Sequence, residues 1–182
     1  MKRLALALCL FLVGCSSTPK PDPVAEYLTA EESIRGTVLS PADAEAAMGR
    51  FSRFFSNVNA EAVETQIPAL YAPDAFFNDT LKTIRGRDAI QAYFRKVASS
   101  TDLVSTRVID SARSGENYYV RWVMDVRFKG SDKTIRTIGM THLRFDEEGR
   151  IVLHQDFWDS TAGFFEHVPV LGGMIRWIKS LL

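Results

Sequence analysis

The spacing of apolar residues changes character several times along the chain. An unbroken apolar run from Leu4 to Val13 stands behind Lys2-Arg3. Residues 16–23, Ser-Ser-Thr-Pro-Lys-Pro-Asp-Pro, then carry no apolar side chain and three prolines, the composition of an extended tether. Residues 24–39 suit either a short helix or a strap across a domain. From Ser40 the spacing becomes helical. Ser40-Pro41-Ala42-Asp43 supplies a serine cap, a proline at the first position and an acid in the first turn. Ala47, Phe51, Phe54 and Phe55 continue it as one apolar stripe. A second helix is predicted over about 60–71, a short strand from Ala75 to Asp79, and, after a loop, a third helix opening at Gly86-Arg87-Asp88. That helix sets Ile90, Tyr93, Phe94 and Val97 on one side.

From residue 103 the period is two. Strands are predicted at roughly 103–113, 117–129, 134–146 and 150–158. In the second, Tyr118, Val120, Trp122, Met124, Val126 and Phe128 alternate with Tyr119, Arg121, Val123, Asp125 and Arg127. Ser114-Gly115, Gly130-Ser131-Asp132 and Asp146-Glu147-Glu148-Gly149 mark the turns. From Ser160 the pattern is helical again, with Pro169 and Gly172-Gly173 as breaks. A terminal amphipathic piece, Met174 to Leu182, lies within residues 169–182. Helices followed by an antiparallel meander predict an α+β domain with helices on one face of a curved sheet, over residues 40–168.

Composition sharpens this reading. The basic segment before the ten-residue apolar run is that of a secretory signal, too short to span a bilayer. The run ends Leu12-Val13-Gly14-Cys15, which resembles the lipobox of bacterial lipoproteins. Residues 1–14 are then a removable signal and Cys15 is the lipidated N-terminus of a domain anchored by residues 15–39 to the cell envelope. Ser16 resembles the default for outer-membrane placement, facing the periplasm. Removing Lys2 and Arg3 lowers the 22 basic residues to 20 against 22 acidic ones. Such a balance disfavours a general nucleic-acid binder, which needs an excess of cations. Cys9 and Cys15 are the only cysteines, so the domain itself holds neither a disulfide nor a cysteine-ligated metal. Three histidines without i, i+4 spacing give no metal-site pattern. There is no glycine-rich phosphate loop, and no cofactor is expected.

Tyr71-Ala72-Pro73-Asp74-Ala75, Asp79 and Gly86-Arg87-Asp88-Ala89-Ile90 with Tyr93-Phe94 resemble the nuclear transport factor 2-like superfamily. So do Arg144-Phe145-Asp146-Glu147-Glu148-Gly149-Arg150-Ile151 and Asp156-Phe157-Trp158-Asp159. The SnoaL-like and ketosteroid-isomerase-like branches are nearest, over about residues 44–166. The resemblance implies a cone, its curved sheet wrapped around the N-terminal helices to enclose a pocket. It puts the isomerase general base on Asp79. The oxyanion-hole tyrosine falls on Phe54 or Phe55, and its aspartate on Thr141. With both donors missing or weakened, steroid-isomerase chemistry of that type is not expected. Pocket-facing positions fall on Trp122, Met124, His154, Asp156 and Trp158. The resemblance also implies a homodimer through the outer sheet face.

The residues admit plainer roles as well. Asp79 suits either the pocket or a cap on the next turn. His154 suits a base, a partner for Asp156 or a satisfied buried histidine. His142 has the opposite parity from Thr141 and is expected on the outer face. The C-terminal helix suits packing on its own domain or a dimer mate, or contact with a membrane surface. Two functions therefore stand. One is a tethered domain binding a small hydrophobic molecule, with acid–base chemistry by Asp79 and Asp156 assisted by His154 and with Trp122, Met124, Thr141 and Trp158 as ligand contacts. The other is a non-catalytic envelope domain that binds protein or membrane.

Overall fold

Side-chain caps define where the first three helices begin. Asp22 Oδ1 accepts from Val24 N at 3.0 Å to start α1, Pro23–Ser33. Ser40 Oγ accepts from Asp43 N at 3.2 Å to start α2, Pro41–Ser56. Asn59 Oδ1 accepts from Ala62 N at 2.9 Å to start α3, Ala60–Leu70. Each satisfies an amide that the helix cannot pair internally. The computed structural model describes residues 22–168 and 170–181; the expected signal segment, residues 1–14, and Cys15, the expected lipidation position, lie outside them.

Helix α3 runs directly into β1, Tyr71–Asn78. Pro73 cannot donate to a ladder, and the register of β1 slips between Tyr71 and Phe76. A three-residue strand, β2 (Thr83–Arg85), lies where the sequence suggested only loop. Gly86, at φ 86°, turns the chain into α4, Arg87–Ser100. Four long strands follow: β3 (Thr101–Ser114), β4 (Asn117–Phe128), β5 (Ile135–Phe145) and β6 (Ile151–Trp158).

The sheet order is β2-β1-β6-β5-β4-β3. Its pairings are antiparallel except one: β1 lies parallel to β6, with Phe77 opposite His154. The predicted meander therefore covers β3 to β6, and the early strand inserts beside the last. Register shifts at the start of β3 and midway along it, where it pairs with β4, bend the sheet. Helices α2, α3 and α4 pack on its concave side. Phe51, Phe54, Val63, Ile67 and Ile90 form the core there with Val120, Leu143 and Ile151. Each fully buried side chain of this size contributes about 2 kcal/mol of transfer free energy.

The stretch 24–39 proves to be a helix and then an extended strap, both on the convex face. Ala30 of α1 is buried against Phe76 and Leu153. Arg144, 3% exposed, donates to the carbonyls of Glu31 and Ile34 and to Asn117 Oδ1. His142 does point outward, yet α1 covers it completely. Its Nε2 lies 2.8 Å from Asn117 Oδ1 and its Nδ1 lies 3.0 Å from the Tyr27 hydroxyl. The amide oxygen can only accept, so Nε2 carries the proton and Nδ1 accepts from Tyr27. Burial, with the nearby Arg144 charge, pushes its pKa down to about 4.

At the C-terminus, α5 (Ser160–Gly163) and a 3-10 turn (Phe165–His167) lead to α6, Leu171–Lys179. Gly172-Gly173 was expected to break this helix and instead lies inside it. A Cβ on Gly172 would sit 1.9 Å from the Glu166 carbonyl oxygen, so the glycine permits a close backbone contact.

Because neutral His142 is favoured on folding, the unfolded chain binds more protons between pH 4 and 6.5. Stability therefore rises with pH across that window. Urea unfolding should show about 2 kcal/mol less stability at pH 5 than at pH 7.5. His142→Gln should remove most of that difference; an unchanged pH profile in this variant would refute the assignment.

Candidate functional site

Inward-facing residues on five strands leave a hollow that the helices do not fill. It is a cavity of ≈ 620 Å³, walled mainly by Phe51 and Phe55 of α2, Phe94 and Val97 of α4, and Val104 and Val126 of the sheet. Asp79, Trp122, Met124, Thr141, His154, Asp156 and Trp158 all line it. Period-two alternation explains this gathering, since Trp122 and Met124 share one face of β4, and His154, Asp156 and Trp158 one face of β6.

The polar groups form a chain. Trp122 Nε1 donates to Thr141 Oγ1 at 2.8 Å, and Thr141 Oγ1 donates to Asp156 Oδ1 at 2.5 Å. His154 Nε2 lies 3.0 Å from the same Oδ1, and the Tyr71 hydroxyl lies 3.0 Å from His154 Nδ1. Indole nitrogen only donates, so the threonine proton must go to the carboxylate. With Asp156 ionised, His154 is the Nε2–H tautomer and accepts from Tyr71. Among the described residues no donor reaches Asp156 Oδ2, and the side chain keeps 15% exposure. One carboxylate oxygen is thus fixed and the other is free. His154, 1% exposed and packed against Phe51, Phe55 and Phe77, is both a satisfied buried histidine and the partner of Asp156. Complete burial, with Asp156 and Asp79 nearby, drives the Tyr71 pKa well above its ordinary value.

Asp79 also takes two roles together. Its Oδ1 accepts from Leu81 N at 3.0 Å and Lys82 N at 2.8 Å, closing the turn between β1 and β2. Its Oδ2 accepts from the Tyr93 hydroxyl of α4. Trp158 Nε1 holds its backbone carbonyl at 2.8 Å. Burial raises the Asp79 pKa above the usual carboxylate value. The Tyr93 bond opposes that rise, and the charge of Asp156 adds to it. Tyr93 in turn is held strongly in its protonated form by burial and by Asp79. The described residues contain no cluster of three metal-ligating side chains.

Residues 51–154, more than half of the chain, match the SnoaL-like domain. The chain belongs to the SnoaL-like family. No protein of curated function matches its sequence. Solved structures share the fold of this SnoaL-like chain at low identity. An LEH-like epoxide hydrolase from M. tuberculosis is 17% identical, with 77% of this chain and 95% of that one covered and a TM-score of 0.57. A protein of ketosteroid isomerase-like fold from Catenulispora acidiphila DSM 44928, in complex with trimethylamine, is 20% identical over 64% and 88%, at 0.56. A protein from Jannaschia sp. CCS1 assigned as a SnoaL-like polyketide cyclase is 13% identical over 70% and 97%, at 0.57.

Several site residues of this SnoaL-like domain escaped the sequence reading. Tyr71 looked like a helix end and Tyr93 like part of an apolar stripe; their partners are far away in sequence. Gly139 looked like an ordinary strand residue. A Cβ there would lie 2.5 Å from Trp122 Cη2 and 2.8 Å from Trp158 Cβ, so its hydrogen makes room for both indoles. Of the two phenylalanines at the expected oxyanion tyrosine, Phe54 is fully buried and Phe55 lines the cavity. Neither offers a donor.

Carboxyl-carbon NMR titration should find Asp79 titrating above the ordinary aspartate value. Asp156→Asn removes a like charge and should lower it; Tyr93→Phe removes a donor to the carboxylate and should raise it. Shifts of the opposite sign would overturn this description of the site.

Proposed function

We propose that this SnoaL-like domain is held at the cell envelope by a lipidated Cys15 and binds a small hydrophobic molecule in its cavity, with Asp156 as general base. The observation that carries the reading is Asp156 itself. A carboxylate in apolar walls is oriented through one oxygen by Thr141 and His154 while the other stays open to a ligand. His154 acts here as a positioning residue. Asp79, its pKa raised by burial, is the complementary acid, with the Tyr93 hydroxyl beside it. This pairing suits proton transfer of the isomerase, hydrolase or cyclase type. The solved relatives named for epoxide hydrolysis and polyketide cyclisation support that range of reactions.

An unfilled cavity favours ligand binding over the purely structural alternative. A specific observation also favours protein contact by the outer face: Ile138, Met140 and Phe157 are exposed there at 58%, 39% and 42%. Homodimerisation by that face would share it with α1, leaving the cavity on the other side of the sheet free.

Native mass spectrometry of the protein extracted from its envelope should reveal a retained apolar molecule. Met124→Trp, which narrows the cavity, should weaken its retention. Across a panel of small epoxides and 1,3-dicarbonyl compounds, turnover should fall about 10²–10⁴-fold in Asp156→Asn. Undiminished turnover in that variant would exclude Asp156 as the base.

Cys15→Ser should abolish incorporation of an alkyne fatty-acid label, since only that thiol stands at the lipobox position. Label retained by the variant would refute lipid anchoring there.

A further inference from the structure

We propose that the mouth of the cavity is held against the lipid bilayer, with the apolar stripe of α6 seated in the interface. The cavity then takes its ligand from the membrane rather than from water. The inference rests on the tethered, ligand-binding reading above and adds the orientation of the domain and the source of the ligand.

The mouth is located by the ends of the elements. Thr80, Leu81 and Lys82 from the β1–β2 turn, Lys96 and Ser100 from the end of α4, and Phe128 from the end of β4 line the cavity. At the opposite end Leu143, Phe145 and Ile151 are fully buried and close the core. Helix α1 begins at the mouth end. In the first turn of that helix Glu26 Oε2 accepts from Thr83 Oγ1 at 2.8 Å, one residue beyond Lys82. Later turns descend the sheet, Tyr27 against Phe157 and Ala30 against Leu153. Residues 16–22, which separate Cys15 from α1, reach at most about 25 Å when fully extended. A lipid on Cys15 therefore keeps the mouth end close to the bilayer.

Helix α6 hangs at this same end. Val170, Met174, Trp177, Ile178 and Leu181 are 92%, 52%, 63%, 45% and 66% exposed. Spacings of three, four and seven residues from Met174 put Trp177, Ile178 and Leu181 on one helical face, with Val170 exposed just before the helix. Nothing among the described residues covers it. Behind it Arg176 Nη1 donates to the Glu166 carbonyl at 2.8 Å and Lys179 Nζ to Glu166 Oε1 at 2.5 Å. Glu166 belongs to the turn whose neighbours Phe164 and Phe165 line the cavity. One short segment thus presents a cavity wall on one side and an unpartnered apolar stripe on the other. No described helix is long and apolar enough to cross a membrane, so α6 would lie along its surface. The rim lysines Lys82 and Lys96 suit anionic headgroups there.

The test uses the lipoprotein extracted from its envelope and reconstituted in phosphatidylethanolamine–phosphatidylglycerol vesicles whose acyl chains are brominated. Bromine quenches indoles that reach the chains. Trp177 emission should be lost, and Trp177→Phe should remove the quenchable component. In the Trp177→Phe background, a Leu81→Trp reporter at the mouth should also be quenched, and a Glu147→Trp reporter at the far turn should not. Vesicle-bound protein with unquenched Trp177, or equal quenching at Leu81→Trp and Glu147→Trp, would overturn the inference. So would concentration-dependent burial of Trp177 without lipid, the mark of a second copy covering the stripe. If the fatty-acid label shows no lipid on Cys15, the tether reading fails by itself. The same reporters, read on protein added to vesicles, then decide the docking of α6 and the mouth in the same way.

Discussion

A carboxylate placed on the apolar side of a sheet needs donors, or it loses its charge. Asp156 has two, and each has a further support behind it. Trp122 fixes the Thr141 hydroxyl and Tyr71 fixes the His154 ring. The support therefore spans β4, β5, β6 and the α3–β1 junction. Much else in the site follows from holding that group. Gly139 lacks a side chain so that two indoles can pack beneath it, and Phe51, Phe55 and Phe77 wall the imidazole. Removing any one partner would leave a buried polar group unpaired, typically costing about 1–3 kcal/mol.

The two faces of the sheet solve different problems with the same residue types. On the concave face a histidine orients a carboxylate that stays open to a ligand. On the convex face His142 hydrogen-bonds Tyr27 and Asn117, stacks on Tyr119 and is sealed beneath α1. Arg144 ties the same helix down through main-chain carbonyls as well as the Glu31 carboxylate. Charge is thus consumed for structure outside and kept available inside.

Much of this was legible in the sequence, for a physical reason. Period-two alternation in β4 and β6 is a property of each strand alone, so the parity of Trp122, Met124, His154, Asp156 and Trp158 could be read directly. The caps at Ser40 and Gly86 are equally local. What could not be read depends on distant partners or on very short elements. Three residues of β2 carry no period. Tyr71 acquires its role from a histidine in the last strand, and Tyr93 from a turn one strand away. His142 is buried by a helix whose own sequence is only weakly amphipathic. Gly172 reads as a breaker until the Glu166 carbonyl occupies the space beside it.

The parallel alignment of β1 with β6 has a consequence for the order in which the molecule can be made. Every hydrogen bond of that pairing joins an early segment to one of the last to emerge. Such non-local closure is slow compared with helix or hairpin formation. A chain synthesised from its N-terminus can complete α2, α3 and α4 while the rest is still to come. Asp79 and Tyr93 would then be present, but His154 and Asp156 would not. Formation of the pocket is therefore coupled to completion of the sheet, and a partly synthesised chain holds Asp79 and Tyr93 without the groups of β5 and β6 that complete the site.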